Sequence, residues 1–202
     1  MKPSAPKDIA RAIFQKYDLH ASADSVSQLS DLLELHRFKY RTLMQTPGET
    51  ASRIYYIQEG LVCVFHNDKK DGNSAVVDDF FLNGDILVDA DLFTDRPAEH
   101  SVKAIEPIIA FSFSYASLQR YAGENRDFNN LLCAILGEYI LRKENYIHLL
   151  ALSPHDRYVE MLQKHNAVIW RSPAKSIASY LRMRSETLSR IRTALNNEDS
   201  NS

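Results

Sequence analysis

Four of the six glycines stand twelve residues apart, at Gly48, Gly60, Gly72 and Gly84, each in a turn pair: Pro47-Gly48, Glu59-Gly60, Asp71-Gly72 and Asn83-Gly84. Between them lie runs rich in β-branched and aromatic residues, Arg53 to Ile57, Leu61 to Phe65 and Ser74 to Leu82. Turn signals at this regular spacing predict short antiparallel strands folded into a barrel or sandwich. Asp71-Gly72 is the strongest hairpin signal among them. A later segment, Ser101 to Tyr115, ends in Phe111-Ser112-Phe113-Ser114-Tyr115, and its alternation puts three aromatics on one strand face. The β-region closes there. Ahead of it, Ala10 to Tyr17 and Ser27 to Leu35 read as short amphipathic helices that cap the barrel.

A chain of 202 residues suits one large domain or two small ones, and an apolar fraction of 45% excludes disorder and fibrous repeats. Lys and Arg number 24 against 26 Asp and Glu, so the chain is not basic throughout and any nucleic-acid surface is local. The start, MKPSAPKDIARAIF, lacks the apolar core of a signal peptide, and no stretch approaches a membrane span, which predicts a cytoplasmic protein with no membrane partner. The two cysteines, Cys63 and Cys133, sit in apolar runs and read as small buried thiols. Neither Gly-x-Ser-x-Gly, nor a phosphate loop, nor His-Glu-x-x-His occurs, and the seven histidines are scattered without ligand spacing. No enzymatic activity, metal or cofactor is expected.

From Phe128 to Leu150 the period changes. Leu132, Ile135, Tyr139, Arg142, Tyr146 and Leu149 are spaced 3, 4, 3, 4, 3, as on the seam of a coiled coil. Periodicity alone suits a helix packed on its own barrel as well as one paired with a second copy. Ser153-Pro154 then marks a helix start, with Ser as N-cap and Pro at the first helical position. That helix, Pro154 to about His165, sets Tyr158, Met161 and Leu162 on one side and opens a second, smaller domain.

Ser172-Pro173 repeats the start signal and opens a helix, Ala174 to Leu181, with Ile177, Ala178 and Leu181 as its apolar face. Arg182-Met183-Arg184 intervene. Ser185 then caps a helix running Glu186 to Leu195 that buries Leu188, Ile191 and Leu195. Two short helices joined by three residues make a helix-turn-helix, whose second helix presents its N-terminal residues to base edges in the DNA major groove. Small Ala178 permits the close approach of the two helices.

The exposed chemistry of that second helix suits the task. Glu186 can accept from cytosine N4, and Arg190, one turn on, can donate two bonds to guanine O6 and N7. Thr187, Ser189 and Lys175 are placed to reach phosphates, and Arg184 and Ser185 flank the reading end. Glu186 and Arg190 could instead be a surface i, i+4 pair worth a few tenths of a kcal/mol. That alternative leaves the local charge unexplained: Arg171, Lys175, Arg182, Arg184, Arg190 and Arg192 face Glu186 alone, an excess of five positive charges. The preceding 170 residues carry an excess of five negative ones. A basic module behind an acidic one suits contact with a polyanion through the C-terminal end.

Ala178-Ser179-Tyr180-Leu181 followed by Ser185-Glu186-Thr187-Leu188-Ser189-Arg190-Ile191-Arg192 resembles the winged helix-turn-helix of the CRP/FNR transcriptional regulators. The glycine spacing, the Asn83-Gly84-Asp85 turn and the long helix resemble that family's cyclic-nucleotide-binding β-roll and dimerisation helix. The resemblance spans about residues 20 to 195. It implies an α+β chain with an N-terminal antiparallel β-roll (a cupin-like double-stranded barrel) over 1–127, a dimerisation helix over 128–152 and a winged helix-turn-helix over 153–202. It implies a homodimer reading a near-palindromic duplex site, with RNA polymerase as a further partner. Glu186 and Arg190 match the family's base-reading pair. Arg182 stands where the family usually has Gly, which predicts a positive φ at a non-glycine residue.

The same resemblance places an effector pocket at Asp89, His100 and Ser101. Family members that bind a cyclic nucleotide carry a Gly-Glu-Leu stretch and, about ten residues on, an Arg-Ser pair for ribose and phosphate. Here the stretch reads Val88-Asp89-Ala90 and the pair His100-Ser101. Losing the Arg alone removes a charge-assisted hydrogen bond of about 1.5–3 kcal/mol, roughly 10- to 150-fold in affinity. Cyclic AMP is therefore not expected as the effector. The alternative function is a ligand- or protein-sensing module of the same fold that no longer reads DNA.

Overall fold

The computed structural model describes residues 2–67, 75–94 and 96–199. The chain forms two compact units: Met1–Cys63 with Phe80–Leu141, and Val64–Asp79 with Arg142–Ser202.

The first unit opens with α1 (Pro6–Lys16) and α2 (Ala23–Leu32). Ile9, Ile13 and Phe14 recur at helical spacing and are all buried, as are Val26 and Leu29 of α2. Ser22 caps α2 by accepting the Ser25 N–H. The sequence-predicted helix from Ser27 to Leu35 runs too far: Leu33 is already extended, and β1 occupies Glu34–Phe38.

Antiparallel strands follow: β2 (Leu43–Gln45), β3 (Arg53–Glu59), β4 (Val62–Asn67), β5 (Ala75–Phe81), β6 (Ile86–Leu87), β7 (Ser101–Ala104) and β8 (Ile108–Ser114). One sheet has the order β1-β8-β3-β6. In it Glu34 lies opposite Ser112 and Arg53 opposite Ser114, and the register of β3 shifts between Ile57 and Glu59. A second sheet has the order β2-β7-β4-β5; Val62 and Cys63 of β4 belong to the first unit, and the rest of β4, with β5 as far as Asp79, belongs to the second. The antiparallel double-sheet roll agrees with the expected α+β class.

Three of the four spaced glycines carry the positive φ their turns require, Gly48 at 90°, Gly60 at 113° and Gly84 at 87°. Asp71-Gly72 lies outside the described residues. Gly60 is also the tightest of the three, because a Cβ there would stand 2.8 Å from the Pro107 carbonyl oxygen and 2.3 Å from Ile108 Cδ1.

The aromatic alternation holds for Phe111 and Phe113, both buried in β8, but Tyr115 does not continue the strand. It opens α3 (Tyr115–Glu124), a helix capped by Ser114, whose hydroxyl oxygen accepts the Ser117 N–H. Then comes α4 (Arg126–Ala151). Its start is tied into the first unit by Asp127, which accepts from the Ser22 N–H at 2.9 Å and the Ser25 hydroxyl at 2.7 Å. Phe128, Leu131 and Ile135 join Phe14, Ile54, Phe111 and Phe113 in the core.

The second unit is otherwise helical: α5 (Pro154–Lys164), α6 (Asn166–Arg171), α7 (Ala174–Tyr180) and α8 (Ser185–Asp199). Ser153 caps α5 as expected, accepting the Asp156 N–H with Pro154 at the first helical position. Tyr158 and Met161 are buried, and Leu162 is half-buried. Ser172 does not cap α7; Pro173 holds that position, and the Ser172 hydroxyl is buried without a hydrogen bond. The wing expected around the helix pair is not found among the described residues, where 154–199 is helix and turn throughout.

Cys63 is buried as expected, but Cys133 is exposed on α4, because the apolar run around it is helical and turns that position outward.

Candidate nucleic-acid interface and effector pocket

In the second unit α7 buries Ile177, Ala178 and Tyr180, and Leu181 and Leu188 close the contact with α8. Ile191 and Leu195 are half-buried, less than the sequence pattern implied. The turn is built by backbone hydrogen bonds from Arg182 N–H to Ser179 O and from Met183 N–H to Ala178 O, both 3.0 Å. Arg182 adopts φ 51°, the left-handed conformation that the resemblance predicts at this place in the turn.

Ser185 is the first residue of α8 rather than its cap: the carbonyl that accepts the Leu188 N–H belongs to Arg184. The Ser185 side chain is therefore not committed to the helix end. Ser185, Glu186, Ser189 and Arg190 are all exposed and share one face at i, i+1, i+4 and i+5; Thr187 is half-buried. Lys175 at the start of α7 and Arg184 in the turn are exposed as well. No ion pair joins Glu186 and Arg190 among the described residues, and both side chains are exposed.

Not every cation of the basic module faces outward. Arg182 Nη2 donates to Asp78 Oδ1 at 3.0 Å, and Arg192 Nε donates to the Tyr158 hydroxyl at 3.2 Å with its guanidinium over that ring. Sequence reading missed Arg157. Its Nη1 donates to the Leu181 carbonyl at 2.8 Å and its Nε to the Leu152 carbonyl at 3.0 Å, so one guanidinium serves two chain segments that lack helical partners. An Arg in the first turn of a helix gives no periodic signal of such a role. Ser179 was likewise missed: its hydroxyl oxygen accepts the Val77 N–H at 2.9 Å, tying α7 to β5.

On α4 the expected seam does not face outward. Ile135 and Leu149 are buried, Leu132, Tyr139, Arg142 and Tyr146 are half-buried, and Arg142 forms two hydrogen bonds to Asp79, at 2.9 and 3.2 Å. The outward face instead carries Ile140, Leu141 and Ile147, at 55%, 59% and 65% exposure. Cys133, Ile140 and Ile147 recur every seven residues along it. Both stripes have heptad spacing, and only packing tells them apart.

In the first unit Asp89 and His100 come together. His100 Nδ1 lies 3.7 Å from Asp89 Oδ1, and Gln45 Nε2 donates to Asp89 Oδ2 at 2.9 Å. Asp89 also precedes a short 3-10 helix, Ala90–Phe93, and accepts the Asp91 N–H at 3.3 Å. Burial pushes the Asp89 carboxyl up, but hydrogen bonds from His100, Asp91 and Gln45 outweigh it and hold the group below its ordinary value. Ser101 is buried in β7 and its hydroxyl reaches neither partner. Asp89, Asp91 and His100 bring ligand-capable atoms within 4.8 Å of one another and are the residues here that could hold a metal. Gln45 was not foreseen, because it sits in a three-residue strand too short to show a period.

Residues 35–125 match the family of cyclic nucleotide-binding domains. No curated protein matches the chain in sequence. Among solved structures, FixK2 from Bradyrhizobium japonicum is similar with a TM-score of 0.72 at 19% identity, over 83% of this chain and 86% of that one. CLP of Xanthomonas campestris, a c-di-GMP responsive global regulator, gives 0.66 at 20% identity over 88% and 93%. The catabolite activator protein of Thermus thermophilus gives 0.55 at 15% identity over 93% and 88%. No helix among the described residues is long and apolar enough to cross a membrane.

Proposed function

We propose that this chain, which has the fold of the CRP/FNR regulators and a cyclic nucleotide-binding domain over residues 35–125, is a DNA-binding transcription regulator that acts as a cytoplasmic homodimer. Residues 1–127 form its sensor domain, 128–152 its dimerisation helix and 153–202 its DNA-binding domain. The observation that carries the reading is the exposed start of α8. Glu186 and Arg190 stand there unpaired, with Lys175 and Arg184 nearby in sequence and exposed, while Arg182 and Arg192 are engaged within the protein. Glu186 and Arg190 read base edges; Lys175, Arg184, Ser185, Thr187 and Ser189 contact the phosphates that set the register. Two copies paired along the outward face of α4 read half-sites about one helical turn apart.

Cyclic AMP is not the effector on this reading. His100 stands where the Arg is expected and supplies at most a weaker, pH-dependent cation toward a phosphate, and the Asp89 carboxylate 3.7 Å from its Nδ1 disfavours a second anion beside it. A saturable thermal shift with cyclic AMP would overturn this part of the proposal.

Selection of bound sequences from random duplex DNA by the full chain tests the rest. The expected result is a near-palindromic consensus, relaxed at one position per half-site by Arg190→Ala and at another by Glu186→Ala, each at about 1–3 kcal/mol. Unchanged base preference in both variants overturns the assigned readout. Failure to retain duplex DNA even at low salt favours the alternative module that no longer reads DNA.

A further inference from the structure

The C-terminal half of α4, α5, the end of α7 and Asp79 of β5 line an open-mouthed cavity of about 520 Å³ within the second unit. That volume falls in the range of small-molecule sites. Its apolar side is formed by Leu149 and Met161, both buried, and by the rings of Tyr146 and Tyr180, whose centroids are 4.9 Å apart. Burial raises both phenols above their ordinary range, which keeps Tyr146 a donor; its hydroxyl donates to the Tyr180 carbonyl at 2.9 Å.

The polar side has a definite balance. Both carboxylates that line the cavity are engaged, Asp79 by two N–H groups of Arg142 and Glu160 by the Lys164 ammonium. Donor capacity is left over: Lys164 has three N–H groups, and the Asn145 amide and His148 imidazole also line the space. The four formal charges of the lining cancel in pairs, so the spare donors at Lys164, Asn145 and His148 decide the polar end: an anionic acceptor group on a flat apolar body satisfies them.

We propose that this cavity binds a small aromatic carboxylate, its ring against Tyr146, Tyr180, Leu149 and Met161 and its carboxylate toward Lys164 and His148. The site is distinct from the Asp89 pocket and does not rest on the DNA-binding reading. Tyr180 ends α7, the first helix of the helix-turn-helix, so occupancy bears directly on the position of that helix.

Calorimetric titration of the full chain with phenylacetate, 4-hydroxybenzoate and 2-naphthoate tests it, with phenylacetamide as the uncharged comparator. Saturable one-to-one binding of at least one acid is expected, with the amide weaker than phenylacetate by about 10-fold or more. Leu152→Trp, at a rim position that is 38% exposed and so tolerates a larger side chain, fills the opening and abolishes binding while the circular dichroism stays unchanged. Lys164→Gln narrows the preference for acid over amide. The proposal is overturned if none of the three acids binds saturably, if acid and amide bind alike, or if binding persists in folded Leu152→Trp.

Discussion

Arg182 Nη2 stands 3.0 Å from Asp78 Oδ1, so the left-handed residue of the turn between α7 and α8 is anchored to β5 by its side chain. Two effects of opposite sign meet at this residue. The left-handed conformation of a non-glycine residue costs about 1–2 kcal/mol, and a partly exposed ion pair returns about 0–1 kcal/mol. Arg182→Gly is therefore expected to match or slightly exceed the parent in urea denaturation. Asp78→Asn removes the charge that faces both Arg182 and His66 and relieves no backbone strain, so it should be the less stable of the two. The reverse order would show that the ion pair dominates.

Ser153 and Ser185 look alike in sequence and differ in structure. Ser153 accepts the Asp156 N–H and caps α5, whereas Ser185 lies inside α8 with its side chain exposed. Ser153→Ala should cost about 1 kcal/mol in chemical denaturation. Ser185→Ala should stay within about 0.5 kcal/mol of the parent, its effect confined to DNA affinity. Equal losses would place the cap of α8 back on Ser185.

On the proposed pairing along the outward face of α4, Ile147 is the sensitive position, since it is the most exposed of the three apolar residues there. Ile147→Asp puts a charge at the C-terminal end of that stripe and should convert the proposed dimer to monomer in sedimentation velocity while helicity is retained. Unchanged sedimentation of a dimeric parent and of this variant would remove the face from the interface.

His36 carries a pH dependence. Burial and the neighbouring Arg53 charge lower its pKa from 6.5, against the opposing pull of Glu34. The unfolded chain takes up a proton that the folded state resists. The contribution is thus complete above the unfolded value and is lost as pH falls from there toward the folded one. Thermal unfolding followed from about pH 7.5 to about pH 5 should show a shallower decline in His36→Gln, which keeps a hydrogen-bonding group toward the Ser112 hydroxyl. Parallel curves for parent and variant would assign the decline elsewhere.

What the sequence disclosed follows the reach of its signals. The turns at Gly48, Gly60 and Gly84, the Ser153-Pro154 start and the apolar faces of α5 and α7 are local chemistry, and they appear where the pattern puts them. The strand β1 was absorbed into the preceding helix because Leu33 and Leu35 extend an apolar run whose end depends on pairing with β8, seventy residues away in the chain. On α4 two heptad stripes compete, and the choice between them is made by Asp79 and Tyr180, which capture Arg142 and Tyr146. At the candidate sites, Glu186, Arg190, Lys175 and Asp89 with His100 were legible as residue types. Arg157, Ser179 and Gln45 were not, because each acts on a backbone or carboxylate group far along the chain.

The thiol of Cys133 is open to solvent on the outward side of α4 and that of Cys63 is enclosed. A maleimide reagent therefore has one entrance to the folded chain, one helical heptad before Ile140. The rate of that reaction reports whether the stripe is covered, so the chain carries its own gauge of pairing without mutagenesis.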